Sequence, residues 1–203
     1  MNNNFFKISL FTVFLTTSSI LKADPYSLAN ISQYLQSLKI LKANFLQTNP
    51  DETTSSVTIL IKRPGRMRFE YYKPDKTLVL VSAGALAIFD SKGDEQPITY
   101  PIRNNPISLI LKGEVDLLNS EIVGNYKVSA GKGVLTIRDP KKPERGSVEL
   151  VFSGTKPELE KFTIKNENGS STSISLNDIE YPKKLNETLF SIPLETNKRR
   201  AKK

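Results

Sequence analysis

Between Arg66 and Tyr71 the side chains alternate. Met67, Phe69 and Tyr71 fall on one face, and Arg66, Arg68 and Glu70 on the other. A strict period of two predicts a β-strand with one apolar side and one wet side. The strand follows Arg63-Pro64-Gly65, a breaker in which proline lacks a donor and glycine admits positive φ. Lys73-Pro74-Asp75-Lys76 is a turn with proline at its second position. Leu78 to Val81 reads as the next strand, Ser82-Ala83-Gly84-Ala85 turns the chain again, and Leu86 to Phe89 is a third short strand. The stretch Arg63–Asp90 is thus predicted as an antiparallel meander whose inward-facing side chains are the candidate ligand contacts.

On either side the pattern changes. Asp24 to Lys42 carries Leu28, Ile31, Leu35 and Leu38 at helical spacing, with Tyr34 or Leu41 extending the stripe. Asp24 suits the cap and Pro25 the first helical position. Ala43 to Thr48 and Ser55 to Lys62 read as strands around a turn at Asn49-Pro50-Asp51-Glu52. A polar loop, Ser91 to Pro101, holds a short strand at Pro97 to Tyr100. Asn104-Asn105-Pro106 then caps a predicted helix, Ile107 to Lys112, ended by Gly113, and Val115, Leu117 and Leu118 prolong its apolar character. Such an insertion within a β pattern either fills one end of a barrel or forms a lid. Strands return at Glu121 to Ser129, Gly133 to Arg138, Gly146 to Ser153, Glu158 to Asn166 and Ser170 to Leu176. The Asn168-Gly169 step marks a hairpin. Asn186 to Leu189 is a helical turn and Phe190 to Pro193 a last strand. A mainly β fold of about ten or eleven short strands follows, a curved antiparallel sheet or incomplete barrel with helices at one end.

Composition narrows the chemistry. The chain has 203 residues, a formal charge of +8, and no Cys, His or Trp. Without Cys and His there are no thiol nucleophiles, no disulfides, no imidazole base and none of the commonest metal ligands. The carboxylates are dispersed, and a glycosidase pair would have to be assembled from residues such as Asp90 and Asp178. Gly124 to Lys132 lacks the spacing of a phosphate loop. No catalytic residue is nominated, no metal and no cofactor. Nucleic acid is a poor partner, because the basic residues Arg66 and Arg68 turn away from the aromatics of their strand. Residues 1–23 resemble a secretory signal peptide: a polar start to Lys7, an apolar run from Ile8 to Leu15, and Ala23 at a cleavage position. Residues 24–193 form one domain. Residues 194–203 end in a basic cluster and read as a disordered tail.

Several short motifs recur together in one known family. They are K-R-P-G-R-M-R-F-E-Y at Lys62 to Tyr71, then Pro74, then L-V-S-x-G at Leu80 to Gly84 leading into Ile88-Phe89-Asp90. F-x-Q at Phe45 to Gln47, N-P-I-S-L-I-L at Asn105 to Leu111, the segment Leu159 to Leu176 and L-F-x-I-P at Leu189 to Pro193 support them. In this order, behind a signal peptide, the chain resembles the outer-membrane lipoprotein carrier family, LolA. The resemblance implies an incomplete antiparallel β-barrel whose lid, here the Asn105–Leu118 segment with the N-terminal helix, covers an apolar cavity for acyl chains. It implies that Met67, Phe69, Tyr71, Leu78, Leu80, Ile88, Ile107, Leu109, Ile110 and Leu111 line that cavity. It implies that Arg63 latches the lid through backbone carbonyls; from the residues alone, Arg63 equally caps a strand end or pairs with Asp90. The implied function is a monomeric periplasmic chaperone. Its implied partners are acylated lipoproteins, an inner-membrane lipoprotein-releasing ABC transporter, and an outer-membrane receptor or the outer membrane itself. Relatives of the same fold include receptors and envelope-stress sensors, so a lipid-sensing regulatory or scaffold protein is the alternative.

Overall fold

The computed structural model describes residues 25–48, 54–72, 76–90 and 96–201. The leader at 1–23, the Asp24 cap, the turn at 49–52, most of the turn at 73–76 and the first half of the polar loop lie outside the described residues.

Helix α1 (Leu28–Ser37) is capped by Ser27, whose hydroxyl accepts from the Asn30 N–H at 3.3 Å. It stops short of the predicted Lys42 because Leu38 is extended and β1 (Ile40–Thr48) begins at once. Leu41, Ala43 and Phe45 are buried at period two, so Leu41 belongs to a strand and not to the helical stripe.

Two antiparallel sheets follow. The larger is ordered β12-β1-β2-β3-β4-β5-β6, with β2 Thr54–Lys62, β3 Arg66–Tyr71, β4 Leu78–Ser82, β5 Ala85–Phe89, β6 Ile98–Pro101 and β12 Asn177–Glu180. The smaller is ordered β11-β10-β9-β8-β7, with β7 Val123–Ser129, β8 Lys132–Arg138, β9 Gly146–Ser153, β10 Glu158–Asn166 and β11 Ser171–Ser175. β11 and β12 are separated only by Leu176, whose N–H donates to the Glu160 carbonyl at 2.8 Å. One run of chain therefore pairs with β10 in one sheet and β1 in the other, and seams the two together. On the far side β6 and β7 are the outermost strands, and residues 102–122 run between them. This is the incomplete antiparallel barrel expected from the sequence. β12 is the strand not anticipated.

Strand register sets the faces. Met67 stands opposite Val81, Phe69 opposite Val79, and Val79 opposite Ile88. Tyr71, two residues beyond Phe69, shares their inner face. Arg68 stands opposite Leu80 and Glu70 opposite Leu78. Leu78 and Leu80 therefore point away from the interior, which corrects their assignment to the cavity. With Ala87 and Phe89 they form a separate small core on the outer face.

The cover for that outer core comes from the C-terminus. Residues 192–200, read from the sequence as the end of a strand and a disordered tail, form helix α2 (Ile192–Arg200), preceded by a 3₁₀ turn, Glu187–Phe190. Ile192 packs on the Leu78–Phe89 cluster. The Arg199 guanidinium lies 5.0 Å from the Phe89 ring centroid and donates to the Asp90 carbonyl at 2.9 Å. The physical reason is that β4, LVLVS, is apolar on both faces and needs cover on both.

Candidate functional site

The interior between the sheets is occupied by the chain's own apolar insertion. Asn105 caps a 3₁₀ turn, Pro106–Leu109, its side chain accepting from the Ile107 N–H at 3.0 Å. The turn replaces the longer helix predicted over Ile107 to Lys112. Ile107, Leu109, Ile110 and Leu111 are all buried, in the same cluster as Met67 and Phe69, and Val115 and Leu117 join them. Phe69 meets Phe45 edge-to-face at 6.0 Å. Tyr71 packs on the cluster from its margin, and Ile88 lies on the same face, half-buried. Eight of the predicted cavity residues thus share the interior face or fill the space above it, and Leu78 and Leu80 do not.

Helix α1 closes one end. Tyr34 packs edge-to-face on Phe152 of β9 at 5.8 Å, and the Tyr26 hydroxyl donates to the Gly154 carbonyl at 2.7 Å. Gly133, inside β8, lets this happen: a Cβ there would sit 3.0 Å from the Tyr26 Cβ and 3.1 Å from the Ile31 Cδ1. The sequence placed Gly133 at the start of a predicted strand; a glycine inside a strand also marks a close approach of this kind.

Arg63 joins the two covering segments. It is 6% exposed, and its guanidinium donates to four backbone carbonyls. Nη1 reaches Leu35 and, at 3.0 Å, Leu38, both at the C-terminal end of α1. Nε reaches Lys112 at 2.6 Å and Nη2 reaches Gly113 at 3.4 Å, just past the 3₁₀ turn. The last carbonyls of a helix lack intrahelical partners and carry the negative end of its dipole, so a cation there satisfies both needs. Burial lowers the arginine's pKa, but guanidinium stays charged in proteins. Among the described residues no carboxylate pairs with it, and Asp90 is not its partner.

Backbone bonds hold Arg63 in place. Its N–H donates to the Lys39 carbonyl at 2.8 Å, and the Gly65 N–H to the Leu111 carbonyl at 2.8 Å. The Arg63–Pro64 peptide is cis. A second tie is independent of the arginine: the Leu117 N–H donates to the Ser32 hydroxyl at 3.2 Å. Ser32 and the carbonyls of Leu35 and Leu38 were not nominated from the sequence. Backbone acceptors leave no side-chain signature.

Chemically, this is a closed apolar interior whose cover is held by a cation on neutral acceptors. Such bonds part without stranding a buried counter-ion.

Residues 36–193 match the family described as "Outer membrane lipoprotein carrier protein LolA". An outer-membrane lipoprotein carrier protein of Coxiella burnetii is 26% identical over 200 residues, covering 94% of each chain. One from Pseudoalteromonas translucida is 29% identical over 195 residues, covering 88% of this chain and 89% of the other. Among solved structures, a LolA superfamily protein from Nitrosomonas europaea has a TM-score of 0.41 at 12% identity, covering 81% of this chain and 97% of that one. With the family match running from the last turn of α1 to the start of α2, the chain belongs to the outer-membrane lipoprotein carrier family, LolA.

Proposed function

We propose that this protein is a periplasmic carrier which takes the acyl chains of lipoproteins between its two sheets and ferries them from the inner to the outer membrane. It receives cargo from a lipoprotein-releasing ABC transporter and hands it to a receptor or to the outer membrane itself. The observation that carries this reading is the buried Arg63 guanidinium bridging α1 and the Lys112–Gly113 backbone over a cluster of buried apolar side chains. A permanent core needs no cation at its lid.

The energetics suit transport. An acyl chain gains ~0.8 kcal/mol per buried CH₂, so unopposed burial of several chains would be close to irreversible. Here the space is already filled by Ile107, Leu109, Ile110 and Leu111. Cargo must displace them, and exposing each costs roughly 1.5–3 kcal/mol. That opposing cost brings the net affinity down to a level from which cargo can be passed on. Met67, unbranched and polarisable, adapts to chains of different shape.

The test is release from spheroplasts. Purified mature protein should co-elute with a triacylated lipoprotein, and Arg63→Leu should alter the yield. Failure of the native protein to release any lipoprotein would sink the reading.

A further inference from the structure

Away from the barrel interior, a cavity of about 720 Å³ opens where three distant segments converge. Lys39 comes from the link between α1 and β1, Lys156 from the turn between β9 and β10, and Lys183 from the segment after β12. None of the three makes an ion pair among the described residues, whereas Lys42, Lys62 and Lys132 pair with Glu180, Glu187 and Glu160. The cavity's carboxylate, Glu158, is already engaged. It accepts from the Tyr181 hydroxyl at 2.9 Å, and Tyr181 lies 3.1 Å from the Tyr34 hydroxyl. The three lysines therefore line a shared space without a paired carboxylate among the described residues. A second cavity of about 590 Å³ continues from it along α1, sharing Tyr34 and Lys156.

We propose that this cavity binds a phosphate-bearing headgroup and seats the lid end of the protein on an anionic membrane. Ammonium groups act as mobile point charges, well matched to a tetrahedral phosphate approached from several sides. The adjoining cavity gives room for the glycerol that follows. The charge convergence does not depend on the carrier reading. The choice of a membrane over an acidic peptide does rest on it: Leu38 lines this cavity, and its carbonyl is one of those held by Arg63, so the site adjoins the cover that cargo must pass.

The experiment is co-flotation of the mature full-length protein with vesicles of phosphatidylglycerol in phosphatidylcholine. Two variants and one titration accompany it: Lys39→Gln/Lys156→Gln/Lys183→Gln, a tail variant with Lys198, Arg200, Lys202 and Lys203 changed to Gln, and the native protein titrated with inorganic phosphate against chloride of matched ionic strength. Native protein should float with anionic vesicles and not with pure phosphatidylcholine. The triple variant should bind roughly 100-fold more weakly, about five-fold per lysine, with an unchanged melting temperature because the three lysines are exposed. The tail variant should keep most of the binding, and phosphate should compete beyond chloride. Full binding by the triple variant, complete loss in the tail variant, no advantage of phosphate over chloride, or tighter binding to polyglutamate than to vesicles would each overturn the proposal. Vesicle binding is read without cargo, so its failure is distinguishable from a failure of lipoprotein release.

Discussion

Replacing Arg63 by leucine removes the bridge between α1 and the Lys112–Gly113 backbone while keeping an apolar side chain at the site. Three of the four bonds are within ordinary hydrogen-bond distance or shorter, and the fourth, at 3.4 Å, is at the limit. Bonds to a charged donor contribute ~1.5–3 kcal/mol each. Against them stands the desolvation of a buried guanidinium, several kcal/mol in itself. At the low end of the per-bond figure the difference leaves about 1–3 kcal/mol favouring the closed cover, which is roughly a 5- to 150-fold shift in the open population. The Ser32–Leu117 tie and the packing of Tyr34 on Phe152 remain, so the cover should loosen and not detach. Hydrogen exchange read by mass spectrometry is the assay. In Arg63→Leu, amides of residues 31–38 and 105–117 should exchange faster by about that 5- to 150-fold factor. Amides of β8, β9 and β10 should be unchanged. Unaltered protection in the two covering segments would refute the latch, and equal acceleration in β8–β10 would mean that the arginine supports the whole fold.

Other consequences are independent. Leu80→Ala empties part of the outer core under α2 and should lower stability by ~2–5 kcal/mol in urea unfolding, while lipoprotein release by the folded fraction stays native; a loss of release would return Leu80 to the interior. Gly133→Ala pushes a methyl against Tyr26 and Ile31 and should cost about 1–3 kcal/mol, read in the same unfolding assay; an unchanged midpoint would show that α1 does not press on β8. The hydrogen bond from Lys132 holds the Glu160 carboxyl below the usual glutamate range, with Ser153 adding to it. A carboxyl whose folded pKa is depressed stabilises the fold above its unfolded pKa, and that contribution is lost as pH falls through the folded value. Melting temperature should therefore fall on the acid side of the ordinary glutamate range, and Glu160→Gln should flatten that limb; identical profiles would remove the Lys132–Glu160 pair from the account.

How far the sequence led depends on where alternation was clean. Arg66 to Tyr71 alternates strictly, and its faces were read correctly. Leu78 to Val81 is apolar at every position, so parity carries no sign there, and the inner residues proved to be Val79 and Val81. The cover for the other face, α2, was invisible because IPLETNKRR carries no apolar stripe and meets the outer cluster through Ile192 and the Arg199 guanidinium. The N-terminal helix was drawn too long because Leu41 satisfies both the helical period and the strand period. Arg63 was legible as part of a breaker, and its proposed role as a latch came only through the family resemblance. Its partners are carbonyls, which composition and spacing do not display.

In the proposed carrier, acyl chains enter the space between the sheets beneath the Pro106–Leu117 segment. A lipoprotein carrying a photoreactive group near the end of an acyl chain, bound to the native protein and cross-linked, tests it directly. Adducts are expected on Met67, Phe69, Ile107 or Ile110, with none on Leu78 or Leu80. Adducts confined to the outer face, or no cross-linking from a lipoprotein that co-elutes with the protein, would contradict it.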